Sequence, residues 1–301
     1  MFYGHHHSHS EKPDADKEAI DDLTRQAKDQ TGVMATLTRA RVEQLKAEIQ
    51  AERAFSKGLD RSQKQILKTI NAALEISSPS ALLNLSPPEF SSLLLNGGLG
   101  EAIDGYIDQQ NRIMKSIDKV MGATAPEFQM NSIEAQSAAI QTQNVSAIFD
   151  DLIVPDISAA VKAGLTDIML FVPVEVAMSN MATKMKSARG GQLNAIKTKI
   201  SQYGRSLTAV AAEAAGLDNY LFTGPKDGIT RKFCRALVDL VVDEKQMSKL
   251  DNGQGLSVKT SCGGYNCRHS WSPVSEGFIR AVTMVKKAKP RDIAKANAGA
   301  R

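Results

Sequence analysis

The sequence predicts a mainly α-helical fold, with an extended helical body followed by a small turn-rich α+β module at the C-terminal end. Hydrophobic residues make up 42% of the 301 positions but aromatic residues only 5%. The abundant Ala, Leu and Met side chains lose little conformational entropy in a helix. Apolar residues recur at helical spacing as far as Gly216, and turn dipeptides such as Gly-Pro and Asn-Gly concentrate after it.

Residues 1–15 are predicted to be a disordered, His-rich tail. This segment lacks the basic start and the apolar middle of a signal peptide. Its histidines are either a purification tag or a natural metal-binding tail: His5, His6, His7 and His9.

Residues 16–122 are predicted to form an N-terminal helical region. Apolar side chains repeat there at spacings of three, four and seven: Ile20, Leu23, Ala27, Val42, Leu45, Ile49, Ile66, Ile70 and Leu74. This pattern predicts one long or two consecutive amphipathic helices as far as Ile76, with Gly58 as the candidate break. Arg41 and Glu48 belong to an interleaved set of charges that the pattern assigns to the solvated face.

Helix start and stop signals divide the rest of this region. Ser86 followed by two prolines and Glu89 predicts a capping box. The helix it opens should stop at residues 96–98, and the next should extend from about Gly100 to Met121. We place a linker and a domain boundary at residues 122–126, where glycine and proline interrupt the pattern.

Residues 127–216 are predicted to form a central helical region. Asn131 and Glu134 have the spacing of another capping box. Pro173 is expected to kink a helix or to start one, since proline cannot donate a backbone hydrogen bond. The Gly190-Gly191 pair predicts a break before a last helix that ends at Gly216.

The C-terminal module is predicted to span residues 217–285. Short strands are expected around 257–260 and 270–274, and a helix from Arg231 to Val241. A basic tail, residues 286–301, follows. It is interpreted either as a solvated, disordered tail or as an arm that touches DNA or an acidic partner through Lys286, Lys287, Lys289 and Arg291.

The module contains all three cysteines of the chain and its only histidine outside the first 15 residues. Cys234, Cys262, Cys267 and His269 match a common ligand set of structural zinc sites, although their spacing is unusual. Two alternatives stay open. The cysteines and the histidine can simply be buried core residues, or a cysteine activated by His269, with Asp227 orienting the ring, can be a catalytic nucleophile.

Several function classes find no support in the sequence. It contains no phosphate-binding GxxxxGK[ST] loop, no GxGxxG, no HExxH and no GxSxG. No stretch reaches the roughly 18–20 apolar residues that a membrane-spanning helix needs. Three cysteines and no export signal indicate a reducing compartment. We therefore do not expect an enzyme or a membrane-spanning protein.

A series of short motifs in the module resembles the C-terminal part of the phage Mu F-like head-morphogenesis (minor head) proteins. The match extends from about Tyr203 to Pro273, roughly a quarter of the chain. It includes Asp227, the Thr-Arg-Lys-Phe-Cys segment at residues 230–234 and the Asn-Cys-Arg-His-Ser-Trp segment at residues 266–271. The motif residues outside the possible zinc ligands are Asp227, Thr230, Arg231, Asn266, Arg268 and Trp271.

The resemblance implies a structural virion protein near the portal that acts in head assembly or DNA delivery. Its partners would be portal, capsid or tail-connector proteins, copies of itself and DNA, and it would occupy the host cytoplasm during assembly. A zinc-stabilised DNA-contacting protein and a cysteine-dependent enzyme are the alternatives. On physical grounds we expect Asp227 to pair with Arg231 or Arg268, and Tyr265 and Trp271 to fill the module core.

Overall fold

The computed structural model describes residues 15–300, so the His-rich segment lies outside the described residues except for Ala15. It confirms the predicted fold class: a mainly helical chain with one small mixed sheet near the C-terminal end. We call residues 15–216 the helical body and residues 217–300 the C-terminal module. None of the helices in the described range is both long and apolar enough to cross a bilayer.

The helical body consists of consecutive helices joined by short turns or, at Leu95–Leu99 and Phe149–Ile153, by π-helical segments. They are α1 (Ala15–Asp29), α2 (Gly32–Ile76), α3 (Pro79–Leu83), α4 (Pro87–Leu94), α5 (Gly100–Thr124), α6 (Glu134–Ile148), α7 (Val154–Met169) and α8 (Val174–Ala214). Helix α2 packs along α5 and α8, and α7 packs on α8. One apolar core lies between them, and it contains side chains from both sides of the boundary predicted at 122–126, such as Ile113 and Ile153. The boundary itself stays a prediction.

The first break in the helical pattern falls at residues 30–31, not at Gly58 as expected. Gly58 lies inside α2, where it is buried against Ala102 of α5. A small residue lets two helices approach closely, so Gly58 allows α2 and α5 to pack together and does not interrupt the helix. Gly190 likewise lies inside α8, and the predicted break there is wrong. Tertiary contacts of a long helix outweigh the cost of about 1 kcal/mol for each helical glycine.

The other start signals had mixed outcomes. The backbone N–H of Ser86 donates to the Glu89 carboxylate at 2.8 Å, as the capping box predicts, and the Ser86 hydroxyl donates to the same oxygen at 2.6 Å. Asn131 does not cap a helix, because it lies in a 3₁₀ turn that precedes α6. Pro173 is the residue before α8, so it starts a helix.

The C-terminal module contains a four-stranded mixed sheet with the order β3-β1-β2-β4. Its strands are β1 (Asn219–Thr223), β2 (Leu240–Asp243), β3 (Ser270–Val274) and β4 (Lys286–Lys287). Strand β1 pairs antiparallel with both β2 and β3, while β4 is parallel to β2. Its helices are α9 (Lys232–Leu237), α10 (Glu244–Met247), α11 (Val258–Ser261), α12 (Glu276–Ala281) and α13 (Pro290–Ala300).

Strand β3 has the predicted bounds, but two other predictions for this module are wrong. Residues 258–261 form the short helix α11 and not a strand. The helix expected from Arg231 to Val241 ends at Leu237, and the chain continues as β2. Of the two interpretations of the basic segment, the disordered tail is wrong for residues 286–300, because Ala288, Ile293 and Ala296 pack into the module core.

Candidate metal centre

The predicted zinc ligands come from separate elements that meet in the interior of the module. Cys234 lies on α9, Cys262 directly follows α11, and His269 immediately precedes β3. Cys267 lies in the loop between α11 and β3. All four are buried, with exposed fractions of 5% or less. The fold therefore joins residues that are more than 30 positions apart in the chain.

Three of the four bring their ligand atoms close together. The Cys234 and Cys267 sulfurs are 3.6 Å apart, and the Cys267 sulfur lies 3.7 Å from His269 Nδ1. The three ligand atoms all lie within 4.8 Å of one another. Tetrahedral zinc, with Zn–S near 2.3 Å and Zn–N near 2.0 Å, places such ligands roughly 3.5–3.8 Å apart. Cys234, Cys267 and His269 therefore form a cluster that can hold a metal ion.

Backbone contacts orient the histidine for this role. Its Nε2 lies 2.9 Å from the Pro225 carbonyl oxygen, which can only accept a hydrogen bond. Nε2 is therefore the protonated nitrogen in the neutral ring, and Nδ1 offers its lone pair toward Cys267. Metal-bound histidines usually have such a partner on the other nitrogen. The ring also stacks on Phe222, with centroids 5.2 Å apart and planes 4° from parallel.

Two glycines make room for the cluster. A Cβ at Gly224 would lie 2.3 Å from the His269 ring, and one at Gly263 would lie 2.3 Å from the Cys234 sulfur. The Gly263 N–H also donates to the Cys267 sulfur at 3.2 Å. Larger residues at these positions would displace the ligands themselves.

The electrostatics favour one thiolate among three thiols. The hydrogen bond with Cys267 and burial both raise the pKa of Cys234, and burial raises the pKa of Cys262. Burial also opposes ionisation of Cys267. Contacts with the side chains of Cys234, Cys262 and His269 outweigh burial, so the pKa of Cys267 is lowered well below its usual value. Cys262 influences Cys267 but lies outside the group of three close ligand atoms.

Two buried arginines of the helical body hold the loop that contains these ligands. Arg205 of α8 donates to the carbonyl oxygens of Cys267 and His269, and Arg41 of α2 donates to that of Arg268 at 2.9 Å. Arg41 also forms a buried ion pair with Glu48 at 3.3 Å. Arg41 and Glu48 are therefore not on the solvated face, where the charge pattern placed them.

The remaining motif residues brace the same loop. Arg268 forks onto Asp227 with hydrogen bonds of 2.5 and 2.9 Å, and the Thr230 hydroxyl donates to Asp227 at 2.9 Å. The expected pair of Asp227 with Arg231 is absent from the described ion pairs, since Arg231 donates instead to the carbonyls of Gly263 and Tyr265.

The predicted aromatic core is half correct. Trp271 is buried and donates to the Val258 carbonyl at 2.9 Å. The Tyr265 side chain, in contrast, is 47% exposed. Asn266, also a motif residue, has a positive φ of 54°, and its backbone N–H donates to the hydroxyl of Thr198 in α8.

The arrangement does not fit the cysteine nucleophile. Asp227 is engaged by Arg268, so it does not orient His269, which the Pro225 carbonyl orients instead. The sulfurs are also buried, whereas a catalytic thiolate needs access to substrate.

Arg41 and Arg205 were not predicted from the sequence to contribute to this site. A signal for Arg41 exists, because Arg41, Gln44 and Glu48 lie at heptad core positions between Leu37 and Ala51, and all five are buried. Polar residues at core positions indicate a buried polar contact. Nothing comparable marks Arg205.

Of the predicted nucleic-acid candidates, Lys286 and Lys287 form β4, at the edge of the sheet opposite β3. Lys286, Lys289 and Arg291 are exposed, and Lys287 pairs with Glu276. They do not contribute to the cluster.

Comparison with known proteins returned nothing similar: no family model, no curated protein and no solved structure matches this chain.

Proposed function

We propose that this chain is a structural protein of a tailed-phage particle, a minor head component next to the portal, and that it is not an enzyme. It would act in head assembly or DNA delivery, in contact with portal, capsid or tail-connector proteins. It would meet them first in the host cytoplasm and then remain in the virion.

One observation carries this proposal. The residues on which the resemblance to the Mu F-like proteins rests, from Asp227 to Trp271, brace one buried centre. Side chains that brace a small fold suit an assembly protein better than an enzyme, which must expose its reactive groups.

We further propose that this centre binds zinc through Cys234, Cys267 and His269, with Cys262 as the fourth ligand. Structural zinc sites are usually closed, four-coordinate sets of Cys and His, and the burial of all four residues fits such a site. A bound zinc would neutralise the thiolate charge and tie α9 to the loop before β3.

Metal content by elemental mass spectrometry tests the zinc assignment. The full chain with His5, His6, His7 and His9 replaced by Ala should contain one zinc per molecule. Cys267→Ser should lose it, whereas Tyr265→Phe, a change at an exposed ring in the same loop, should keep it. Absence of metal from the otherwise unaltered chain would contradict the zinc proposal and leave the centre as a packing device.

Composition of particles tests the virion role. In gradient-purified particles from the phage or prophage that encodes the chain, its peptides should sediment with DNA-filled heads at a few copies per particle. Particles free of these peptides, in a lysate that contains the protein, would contradict the role.

A DNA-contacting protein is the second candidate, favoured by the exposed Lys286, Lys289 and Arg291 on an ordered border of the module. It predicts binding to duplex DNA that weakens steeply as salt rises. Little binding even at low salt would exclude it.

A further inference from the structure

The turn between α7 and α8 exposes an unusual set of apolar side chains. Met169, Leu170 and Phe171 are 46%, 71% and 96% exposed, and Val176, in the first turn of α8, is 48% exposed. We call these four residues the apolar tip. Single exposed apolar residues are ordinary, but a contiguous group of this kind indicates an interaction site.

The backbone at the tip makes Phe171 more unusual still. The Phe171 N–H donates to the Ile168 carbonyl and the Val172 N–H to the Asp167 carbonyl, both at 3.0 Å. These are the two hydrogen bonds of a Schellman motif that ends α7. Its left-handed position is normally glycine, yet here Phe171 occupies it with φ of 63°. A bulky side chain in this conformation is strained and at the same time rigidly presented.

The C-terminal module offers a groove of matching character. It has a volume of about 340 Å³, and Met247, Leu250, Leu256 and Val258 supply its apolar walls. We call it the module groove. Its size lies at the small end of ligand pockets and suits one or two protein side chains.

The tip and the groove of one molecule cannot meet. Helix α8 begins at Val174, just after the tip, and 28 residues later its Gln202 donates to Ser261, three residues beyond Val258 of the groove. At 1.5 Å per residue these two points on α8 are about 42 Å apart. Any contact between tip and groove therefore joins two molecules.

The charges around the two surfaces are complementary. Residues 67–76 and 167–176, which surround the tip, contain three acids and one lysine. The groove lies on residues 244–259, and residues 286–300 pack beside them through Gln246 and Asn297. These two segments contain eight basic residues and three acids. Opposite charges of this kind steer and orient an encounter.

From these observations we infer that the chain associates head to tail, with the apolar tip of one copy inserted into the module groove of the next. The contact is heterologous, so repetition produces a closed ring if the rotation closes and a filament if it does not. The inference depends neither on zinc binding nor on a place in the virion. Copies can associate in this way even if the chain binds no zinc or is absent from particles.

Two substitutions on different surfaces test the contact by sedimentation velocity. Phe171→Gly removes the most exposed side chain of the apolar tip, and Leu256→Glu places a charge in the module groove. Each should weaken self-association of the chain by about 30-fold or more, as expected for a hot-spot residue. Phe171→Gly should also raise the Tm by about 2–4 °C because it relieves the left-handed strain. Ile229→Ser, at an exposed apolar residue outside both surfaces, should associate like the unaltered chain.

Mixing the two variants distinguishes this geometry from others. A Leu256→Glu copy keeps its tip and a Phe171→Gly copy keeps its groove, so the mixture should form dimers that cannot grow. Ser257→Trp, which fills the groove from an exposed position, should replace Leu256→Glu if that variant fails to fold. The inference is overturned if the unaltered chain stays monomeric at about 100 µM, or if the mixture of variants stays monomeric.

Discussion

The helical body and the C-terminal module are stabilised in different ways. The body is held by a large apolar core in which Phe55, Tyr106 and Phe149 pack edge to face and aliphatic side chains fill the rest. The module also has a core, but its loops are held by charged side chains bonded to backbone carbonyls and by the Cys and His cluster. Apolar contacts tolerate substitution of similar volume, whereas these polar contacts depend on one geometry.

Arg205 connects the two regions, and its substitution should cause the largest loss of stability. Arg205→Met keeps the apolar stem but leaves the carbonyls of Cys267 and His269 without this donor. We expect a loss of about 3–5 kcal/mol in the free energy of unfolding, since a buried charged donor is removed. Hydrogen exchange should increase most in residues 258–270.

Lys184→Met is the matched control, because Lys184 is exposed on the same helix. Its unfolding should change by less than about 0.5 kcal/mol. Equal destabilisation by both substitutions, or exchange that increases mainly in α5 and α6, would contradict the role given to Arg205.

The Asp227–Arg268 pair sharpens the comparison by its pH dependence. Burial opposes ionisation of Asp227, but hydrogen bonds from Arg268 and Thr230 outweigh it, so the pKa of Asp227 lies below its usual value. Its stabilising contribution is therefore fully present above about pH 4, the usual unfolded-state pKa, and is lost as the pH falls through the lower folded-state pKa.

Asp227→Asn should accordingly destabilise the chain by about 1.5–3 kcal/mol at pH 7. Its difference from the unaltered chain in chemical denaturation should shrink below about pH 4. Glu43→Gln breaks an exposed pair with Lys119 in the body and should change stability by less than about 1 kcal/mol. A deficit for Asp227→Asn that is the same at pH 3 and pH 7 would show that the pair is not the cause.

The same difference between regions explains what could be predicted from the sequence. Periodicity and local capping signals predict most helices of the body, such as the one that starts after Ser86, because each signal lies within one helical turn. Local spacing could not give the 3.6 Å approach of Cys234 to Cys267, because it depends on how α9 packs against a loop 33 residues away. The fork of Arg268 onto Asp227 was foreseen from its chemistry. Arg41 was misread because a buried arginine looks like a surface one until its carbonyl partner is known.

The smallest expected effect is that of Gly190→Ala in the body, and a second glycine there, Gly164, should respond with the opposite sign. Gly190 lies inside α8 with no atom within 4 Å of an added Cβ. Gly190→Ala should therefore stabilise the chain by about 0.5–1 kcal/mol, since alanine loses less backbone entropy on folding. At Gly164 an added Cβ would lie 2.3 Å from Met181 Cγ in the core, so Gly164→Ala should destabilise by about 1–3 kcal/mol. Thermal unfolding of the two variants should therefore show a higher Tm for Gly190→Ala and a lower Tm for Gly164→Ala than for the unaltered chain. A destabilised Gly190→Ala would mean that α8 is interrupted there after all, and the break predicted from the Gly190-Gly191 pair would be restored.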